Sequence, residues 1–236
     1  MYKRQGLDLL LVEHFDLNPS VERTVIGFMG CYAAMNALKL GRHIVRSEPA
    51  AKVLVVCVEL CTLHMQESPN LEQLLSFMVF ADGAAAALVS AESKGLALDS
   101  FHALLAPHAA EQITWNIRDQ GFDMVLSGQV PASVGEALTT GASAILGDIA
   151  VEEIALWAVH PGGRSVLDAV EGALSLPAHA LAVSREVLRQ YGNMSSATIL
   201  FVLAAMLDKG KPGERGCAMA FGPGLTAETM LFTMAP

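Results

Sequence analysis

The chain has 236 residues, of which 53% are hydrophobic and 17% are charged, and its formal net charge is -9. That length is enough for one large domain or two small ones with a sizeable core. The negative charge argues against nucleic acid or an anionic membrane as the main partner. The longest clean apolar run, residues 199–207, is far shorter than the roughly 20 residues of a membrane span. We therefore expect neither a membrane span nor a signal peptide.

The cysteines indicate the redox environment. There are four of them, and they show neither CxxC spacing nor a disulfide framework: Cys31, Cys57, Cys61 and Cys217. This pattern is typical of a reduced cytoplasm and makes metal ligation unexpected. We expect a cytoplasmic protein without a bound metal.

The apolar pattern predicts alternating strands and helices, as in a layered α/β fold. The predicted strands cover residues 22–28, 52–59, 84–90, 154–159, 216–221 and 229–233, and the predicted helices cover residues 31–46, 164–174, 178–190 and 195–207. Residues 52–59 have the continuous apolar pattern of a buried parallel strand. Twice a strand leads into a reactive residue at a turn that opens a helix, which indicates a weak internal duplication. The predicted halves are residues 1–95 and 96–236.

Cys31 is the first candidate catalytic residue. It follows a predicted strand and Gly30, and it begins a predicted helix. Unpaired N–H groups and the positive end of the helix dipole favour a thiolate at such a position. The alternative is a small buried hydrophobic residue. For Cys61, which follows the end of a strand, cavity lining and core packing are both open.

Three further sites stand at turns. His160 follows a strand and precedes Pro161-Gly162-Gly163, so its ring is expected at a strand end. Asn193 precedes a helix, where it either caps that helix or donates to a developing oxyanion. The segment Gly222-Pro223-Gly224 either forms a tight turn or shapes a pocket.

Six segments in order resemble the chalcone synthase-like type III polyketide synthases. They are GCYAAMNALKLGRHIV at 30–45, AKVLVVCVEL at 51–60, FADGAAAALVS at 80–90, WAVHPGGRSVLDAVE at 157–171, YGNMSSATILFVL at 191–203 and AFGPGLTAE at 220–228. The resemblance implies a thiolase-like α/β fold of two duplicated layered halves, with the first half incomplete. It also implies a homodimer when the protein is full length.

The resemblance implies an acyltransferase that condenses an acyl-CoA starter with malonyl-CoA by decarboxylative Claisen condensation, without metal or redox cofactor. In this scheme Cys31 takes the acyl group. His160 pairs with the thiolate and lowers its pKa. His160 and Asn193 then stabilise the enolate that forms when malonyl-CoA loses CO2.

Several further positions match residues that shape the substrate cavity in this family. Phe80 matches the aromatic gatekeeper between the CoA tunnel and the cavity, Ser195 matches a position beside the catalytic asparagine, and residues 222–224 match a cavity loop. Three positions depart from the plant chalcone synthases: His64 stands in place of a threonine, Trp115 in place of a glycine, and Met124 in place of a second gatekeeper aromatic. The larger side chains predict a short product, such as a triketide pyrone or a resorcinol type.

Family members have on the order of 100 or more residues before the strand that leads to the nucleophile. We therefore expect the chain to be a fragment, with poor solubility because a sheet edge and an apolar face lack cover. Two other interpretations are a β-ketoacyl-ACP synthase III-like enzyme and a non-catalytic truncated remnant. The sequences HPGG at 160–163 and FGPG at 221–224 favour the polyketide synthase over the former. The intact catalytic residues argue against the latter.

Overall fold

The computed structural model describes residues 6–106, 108–119 and 121–236. The helices are α1 Leu7–His14, α2 Ala33–Ser47, α3 Leu71–Phe77, α4 Val130–Leu146, α5 Arg164–Ala173, α6 Ala182–Tyr191 and α7 Ser196–Leu207. The strands are β1 Val53–Glu59, β2 Gly83–Val89, β3 Leu96–Leu105, β4 Ile113–Arg118, β5 Gly121–Leu126, β6 Leu156–Val159, β7 Arg215–Gly222 and β8 Thr226–Met234. Residues 1–5 of the first predicted half lie outside the described residues.

The strands form three sheets. Strands β3, β8, β7 and β6 lie side by side in that order, and β6 pairs with β7 in parallel while the other neighbours are antiparallel. Strands β1 and β2 form an antiparallel pair, and β4 and β5 form a hairpin. The short parallel strand β6 matters most for function because His160 follows its last residue.

Helix α7 is the central element of the packing. Its side chains are apolar on every side, and most of them are buried, among them Ala197, Ile199 and Val202. It contacts β6 and β7 on one side and β1 and β2 on the other, with α2 beside it. A helix that is apolar all round needs cover on all faces, and these layers supply it.

Two hydrophobic clusters fill the spaces between the layers. One lies between the four-stranded sheet and helices α4 and α5, and it contains Leu138, Trp157 and Leu167. The other joins α2, α7 and the β1–β2 pair to the opposite face of that sheet, and it contains Met35 and Phe232. The succession of helix, sheet, helix and sheet confirms the expected layered thiolase-like α/β fold.

The predicted strand at residues 22–28 is wrong. Among the described residues no strand lies beside this segment, and its backbone makes no ladder of hydrogen bonds. Its β-branched residues create a strand pattern, but a strand requires a partner for its N–H and C=O groups. Of the two places where the sequence predicts a strand that leads into a reactive residue, the structure has such a strand before His160. Among the described residues, none precedes Cys31.

The predicted strand at residues 52–59 is present as β1, but its pairing differs from the prediction. It pairs antiparallel with β2, and its burial alternates. Val55 and Cys57 are buried, whereas Leu54 and Val58 on the other face are exposed. The apolar run therefore reflects one buried face and one exposed apolar face rather than a strand enclosed in a parallel sheet.

Other differences are local. The helix predicted from residue 178 begins at Ala182, after a turn in which the Ala180 N–H donates to the Pro177 carbonyl at 2.8 Å. The predicted boundary near residue 95 falls in the connection between β2 and β3. Within the described residues, no helix combines the length and apolar character needed to cross a membrane.

The core gives a direct test of packing. Leu138 in α4 has 0% of its surface exposed, whereas Leu105 at the end of β3 is 63% exposed. We expect Leu138→Ala to lower the free energy of unfolding by about 2–5 kcal/mol, because it removes buried methyl groups and leaves a cavity. The control Leu105→Ala should cost less than about 1 kcal/mol. Urea unfolding of both variants measures this difference, and equal losses would contradict the described core.

Candidate active site

A single cavity of ≈ 540 Å³ brings Cys31, His160 and Asn193 together. These residues come from three places in the chain: the turn before α2, the end of β6 and the turn between α6 and α7. Most of the remaining wall is apolar, with side chains from α3 and the β4–β5 hairpin. The cavity is open to solvent on one side, where Met65, Leu71 and Leu75 are 58%, 68% and 55% exposed. In its interior the apolar wall strengthens electrostatic interactions relative to water.

The turn that carries Cys31 packs tightly against residues 222–224. Gly30 has φ +57°, and a Cβ there would lie 2.7 Å from Pro223 Cδ. Both the backbone angle and this close approach require glycine. The Tyr32 hydroxyl donates to the Pro223 carbonyl at 3.2 Å. The position of the thiol is therefore fixed by the loop across the cavity as well as by α2.

Burial controls the charge state of Cys31. It raises the pKa of the thiol to about 11, with a further increase from the nearby Glu59 carboxylate, while hydrogen bonds from Ser195 and Asn193 oppose the rise. Desolvation therefore opposes the thiolate that the sequence predicts at this helix start. The role of Cys31 as a nucleophile stays a prediction.

His160 is held as a neutral imidazole. It is 1% exposed, and its backbone N–H donates to the Met219 carbonyl at 2.7 Å. Burial lowers its pKa to about 3. Neither ring nitrogen has a hydrogen-bond partner among the described residues, Cys31 included. The structure thus shows no hydrogen bond between the imidazole and the Cys31 thiol, and both ring nitrogens are buried.

Asn193 is fixed through its backbone and its carboxamide. Its N–H donates to the Val79 carbonyl at 3.0 Å, and the Ala81 N–H donates to its carbonyl at 2.8 Å. Its Oδ1 accepts a hydrogen bond from the Ser195 N–H at 2.9 Å. The Nδ2 group, on the other side of the amide, therefore points away from this N–H. Nδ2 makes a long hydrogen bond of 3.4 Å to the Gly162 carbonyl. A donor with such a weak partner can turn to a substrate carbonyl at little cost.

The other predicted site residues mostly line the same cavity. Those that do are Phe80, Cys61, His64, Met124, Ser195, Gly222, Pro223 and Trp115. Gly224 does not line it; with φ +74° it instead forms the turn between β7 and β8. Of the two interpretations of Cys61, the cavity position is the one observed, and burial raises the pKa of its thiol to about 12.

An aromatic cluster forms one wall of the cavity. The His64 ring lies 5.0 Å from the Trp115 ring and 6.0 Å from the Phe122 ring, measured between centroids. Trp115 and Phe122 are 5.9 Å apart, and all three pairs meet edge to face. These geometries are favourable for aromatic pairs, so the wall is held in place by its own contacts.

Sequence reasoning missed Glu59, which lines the cavity from the last position of β1. Its carboxylate Oε1 accepts hydrogen bonds from both the backbone N–H and the hydroxyl of Ser196, at the start of α7. A carboxylate that lines a largely apolar cavity needs a hydrogen-bond partner, but nothing in the sequence alone identifies Ser196 as that partner.

Comparisons with known proteins relate the chain to a described family. Residues 3–93 match the family model of the chalcone and stilbene synthases, N-terminal domain, and residues 98–236 match that of the C-terminal domain. The alpha-pyrone synthesis polyketide synthase-like Pks18 of Mycobacterium tuberculosis is 34% identical over 240 residues, which cover 96% of this chain and 61% of the relative. The chain thus spans about three fifths of the length of the curated relatives that it matches.

Two solved structures have the same fold. PKS-I from the brown alga Ectocarpus siliculosus superposes with a TM-score of 0.91 at 35% identity, covering 99% of this chain and 66% of that one. The 1,3,6,8-tetrahydroxynaphthalene synthase of Streptomyces coelicolor A3(2), a bacterial type III polyketide synthase, gives 0.93 at 29% identity, covering 100% and 69%.

The burial of His160 predicts acid sensitivity. An imidazole in the unfolded chain binds a proton near pH 6.5, whereas folded His160 resists protonation until about pH 3. Between these values the unfolded state holds more protons, so the free energy of unfolding falls as the pH decreases. Between pH 7 and pH 5 this one imidazole should lower the free energy of unfolding by about 2 kcal/mol. Urea unfolding of the wild type and His160→Gln at both pH values isolates the effect, and equal pH dependence would contradict it.

Proposed function

Because the chain belongs to the family of the chalcone and stilbene synthases, we propose that it carries the condensing site of a type III polyketide synthase. Its activity is that of an acyltransferase, joining an acyl-CoA starter to malonyl-CoA. The observation that carries this proposal is the convergence of Cys31, His160 and Asn193 on one largely apolar cavity.

The first step loads the starter. The Cys31 sulfur attacks the thioester carbonyl of acyl-CoA, so a new C–S bond forms to the protein and the C–S bond to CoA breaks. The thiol begins protonated, and the neutral imidazole of His160 has a lone pair that accepts its proton. That proton then passes to the departing CoA sulfur. Because complete transfer would leave a thiolate and an imidazolium in the largely apolar cavity, attack of the sulfur and transfer of its proton have to be concerted.

The second step makes the carbon–carbon bond. The thioester carbonyl of malonyl-CoA accepts hydrogen bonds from the His160 ring and from Asn193 Nδ2. The carboxylate leaves as CO2, and its bonding electrons form an enolate whose oxygen is stabilised by these two donors. The enolate carbon attacks the acyl group on Cys31, the C–S bond to the protein breaks, and the departing thiolate takes up a proton from water. Loss of CO2 drives the reaction, so the substrates are CoA thioesters and no further cofactor is called for.

The walls of the cavity favour a short product. His64 and Trp115 lie against each other at 5.0 Å, and both line the cavity together with Met124. Their side chains occupy volume that a growing chain would otherwise fill. We therefore propose a product with few extensions, of the pyrone or resorcinol type.

We also propose a homodimer in the reduced cytoplasm. Val25 and Phe28 are 76% and 79% exposed, beside backbone that has no strand partner among the described residues. A second copy would remove this apolar surface from water. All four cysteines are free, as suits a reducing compartment.

The loading step gives the first test of the proposal. Incubation with acyl-CoA should add one acyl group to Cys31, seen by intact mass and peptide mapping. Cys31→Ala should lose the adduct, whereas Cys217→Ala should keep it, because Cys217 is fully buried away from the cavity. Asn193→Ala should acylate normally and slow decarboxylation of malonyl-CoA by about 100-fold, since it loses one enolate donor. An adduct on another residue, or none at all, would overturn the proposal.

Product length tests the aromatic wall. Trp115→Gly removes the largest side chain of the cluster and should shift the products toward additional malonyl-derived units, measured by liquid chromatography and mass spectrometry. Trp157→Phe serves as the control, because Trp157 is buried in the core and does not line the cavity. A tetraketide chalcone as the main product of the wild type would refute the proposed short product.

A further inference from the structure

The proposed reaction gives no role to Glu59, although its carboxylate faces the same cavity as the reacting groups. It stands at the end of β1, opposite Gly83 in the register of the strand pair. A carboxylate in a mostly apolar cavity costs free energy unless strong hydrogen bonds compensate it. Its placement therefore requires an explanation.

The contacts of Glu59 show what it holds. The Ser196 backbone N–H donates to its Oε1 at 3.2 Å, and the Ser196 hydroxyl donates to the same oxygen. Ser196 is the first residue of α7, and Ser195, the N-cap, contributes no side-chain capping bond of its own. Glu59 thus caps α7 from another strand, with its negative charge at the positive end of the helix.

This cap lies next to a strained turn. Ser195 has φ 48° and ψ −127°, a backbone conformation that non-glycine residues seldom adopt. Such a conformation persists only where the surroundings hold it. The same turn carries the Ser195 N–H that orients Asn193 Oδ1 and the Ser195 side chain that hydrogen-bonds to the Cys31 thiol.

We propose that Glu59 is a positioning residue of the Cys31 site: its carboxylate, bonded to Ser196, holds the start of α7 and so keeps the Asn193–Ser195 turn against the thiol. The proposal deepens the condensing function proposed above and rests on it. Glu59 acts through Ser196 and the turn, so it orients the reacting groups without being one of them.

The charge of Glu59 adds a second, measurable effect. The titratable and polar groups around the thiol come from each element that surrounds it: Glu59 from β1, Cys61 from the turn after β1, His160 from the end of β6, and Asn193 and Ser195 before α7. After burial, Glu59 is the group that raises the pKa of Cys31, while Asn193 and Ser195 lower it. The charge of Glu59 thus raises the pKa of the Cys31 thiol, whereas its contact with Ser196 keeps in place the Ser195 and Asn193 groups that lower that pKa. Substitutions that remove only the charge or only the contact separate the two effects.

The test is the pH profile of Cys31 alkylation by iodoacetamide, resolved from the other cysteines by peptide mass spectrometry. Glu59→Gln keeps an oxygen acceptor for Ser196 and removes the charge, so the midpoint for Cys31 should fall by about one pH unit, with alkylation about tenfold faster at pH 8. The control Glu92→Gln removes an exposed carboxylate outside the cavity, paired with Lys52, and should leave the profile unchanged.

Ser196→Ala should change the rate of Cys31 alkylation in the opposite direction. It keeps the charge of Glu59 and loses the hydroxyl contact, so the turn loosens and the hydrogen bonds that favour the thiolate weaken. Alkylation at pH 8 should become about threefold slower. A profile that does not move in Ser196→Ala would overturn the positioning role, because the shift expected in Glu59→Gln follows from the loss of charge alone. Alkylation needs no CoA substrate, so a wild type that forms no acyl adduct would defeat the proposed function while leaving this result intact.

Discussion

Two backbone hydrogen bonds beside the cavity connect the parts of the chain on which the site depends. The Asn193 N–H donates to the Val79 carbonyl, and the Ala81 N–H donates to the Asn193 carbonyl, at 3.0 and 2.8 Å. This parallel bridge joins Phe80, from the first half, to Asn193, from the second. Gly192 makes the approach possible, since it has φ +72° and a Cβ there would lie 3.1 Å from Ala81 Cβ. This bridge therefore helps to set both the position of the Asn193 amide and that of the cavity-lining Phe80.

The charge states of Cys31 and His160 are set by desolvation rather than by ion pairing. Burial raises the pKa of the Cys31 thiol and lowers that of the His160 imidazole, so both are uncharged near neutral pH. A charged pair would have to offset the loss of hydration of both ions in a largely apolar cavity. The unpartnered ring nitrogens of His160 leave the site poised for a ligand that supplies the missing polar contacts. The thioester carbonyl of the proposed CoA substrate is such a ligand.

The sequence predicted those parts of the fold in which local pattern and tertiary environment agree. Residues 53–59 and 215–222 are strongly apolar strands, and α2 has clear helical spacing, so all were anticipated. Strand β3 and helix α4 were missed, because Asp99 and Ser100 interrupt the apolar pattern of the first and glycines interrupt the second. The proposed catalytic roles of residues 31, 160 and 193 came from the resemblance of their motifs to a family, since no local pattern brings these residues together. Glu59 required the tertiary structure, because its partner Ser196 is 137 positions away.

The packing of Gly30 against Pro223 restricts how this site can be redesigned. The loop at residues 222–224 is an obvious place to widen the cavity, yet its proline ring touches the turn that carries the sulfur. Any remodelling of that loop for a bulkier starter also displaces the nucleophile, so cavity volume and attack geometry change together.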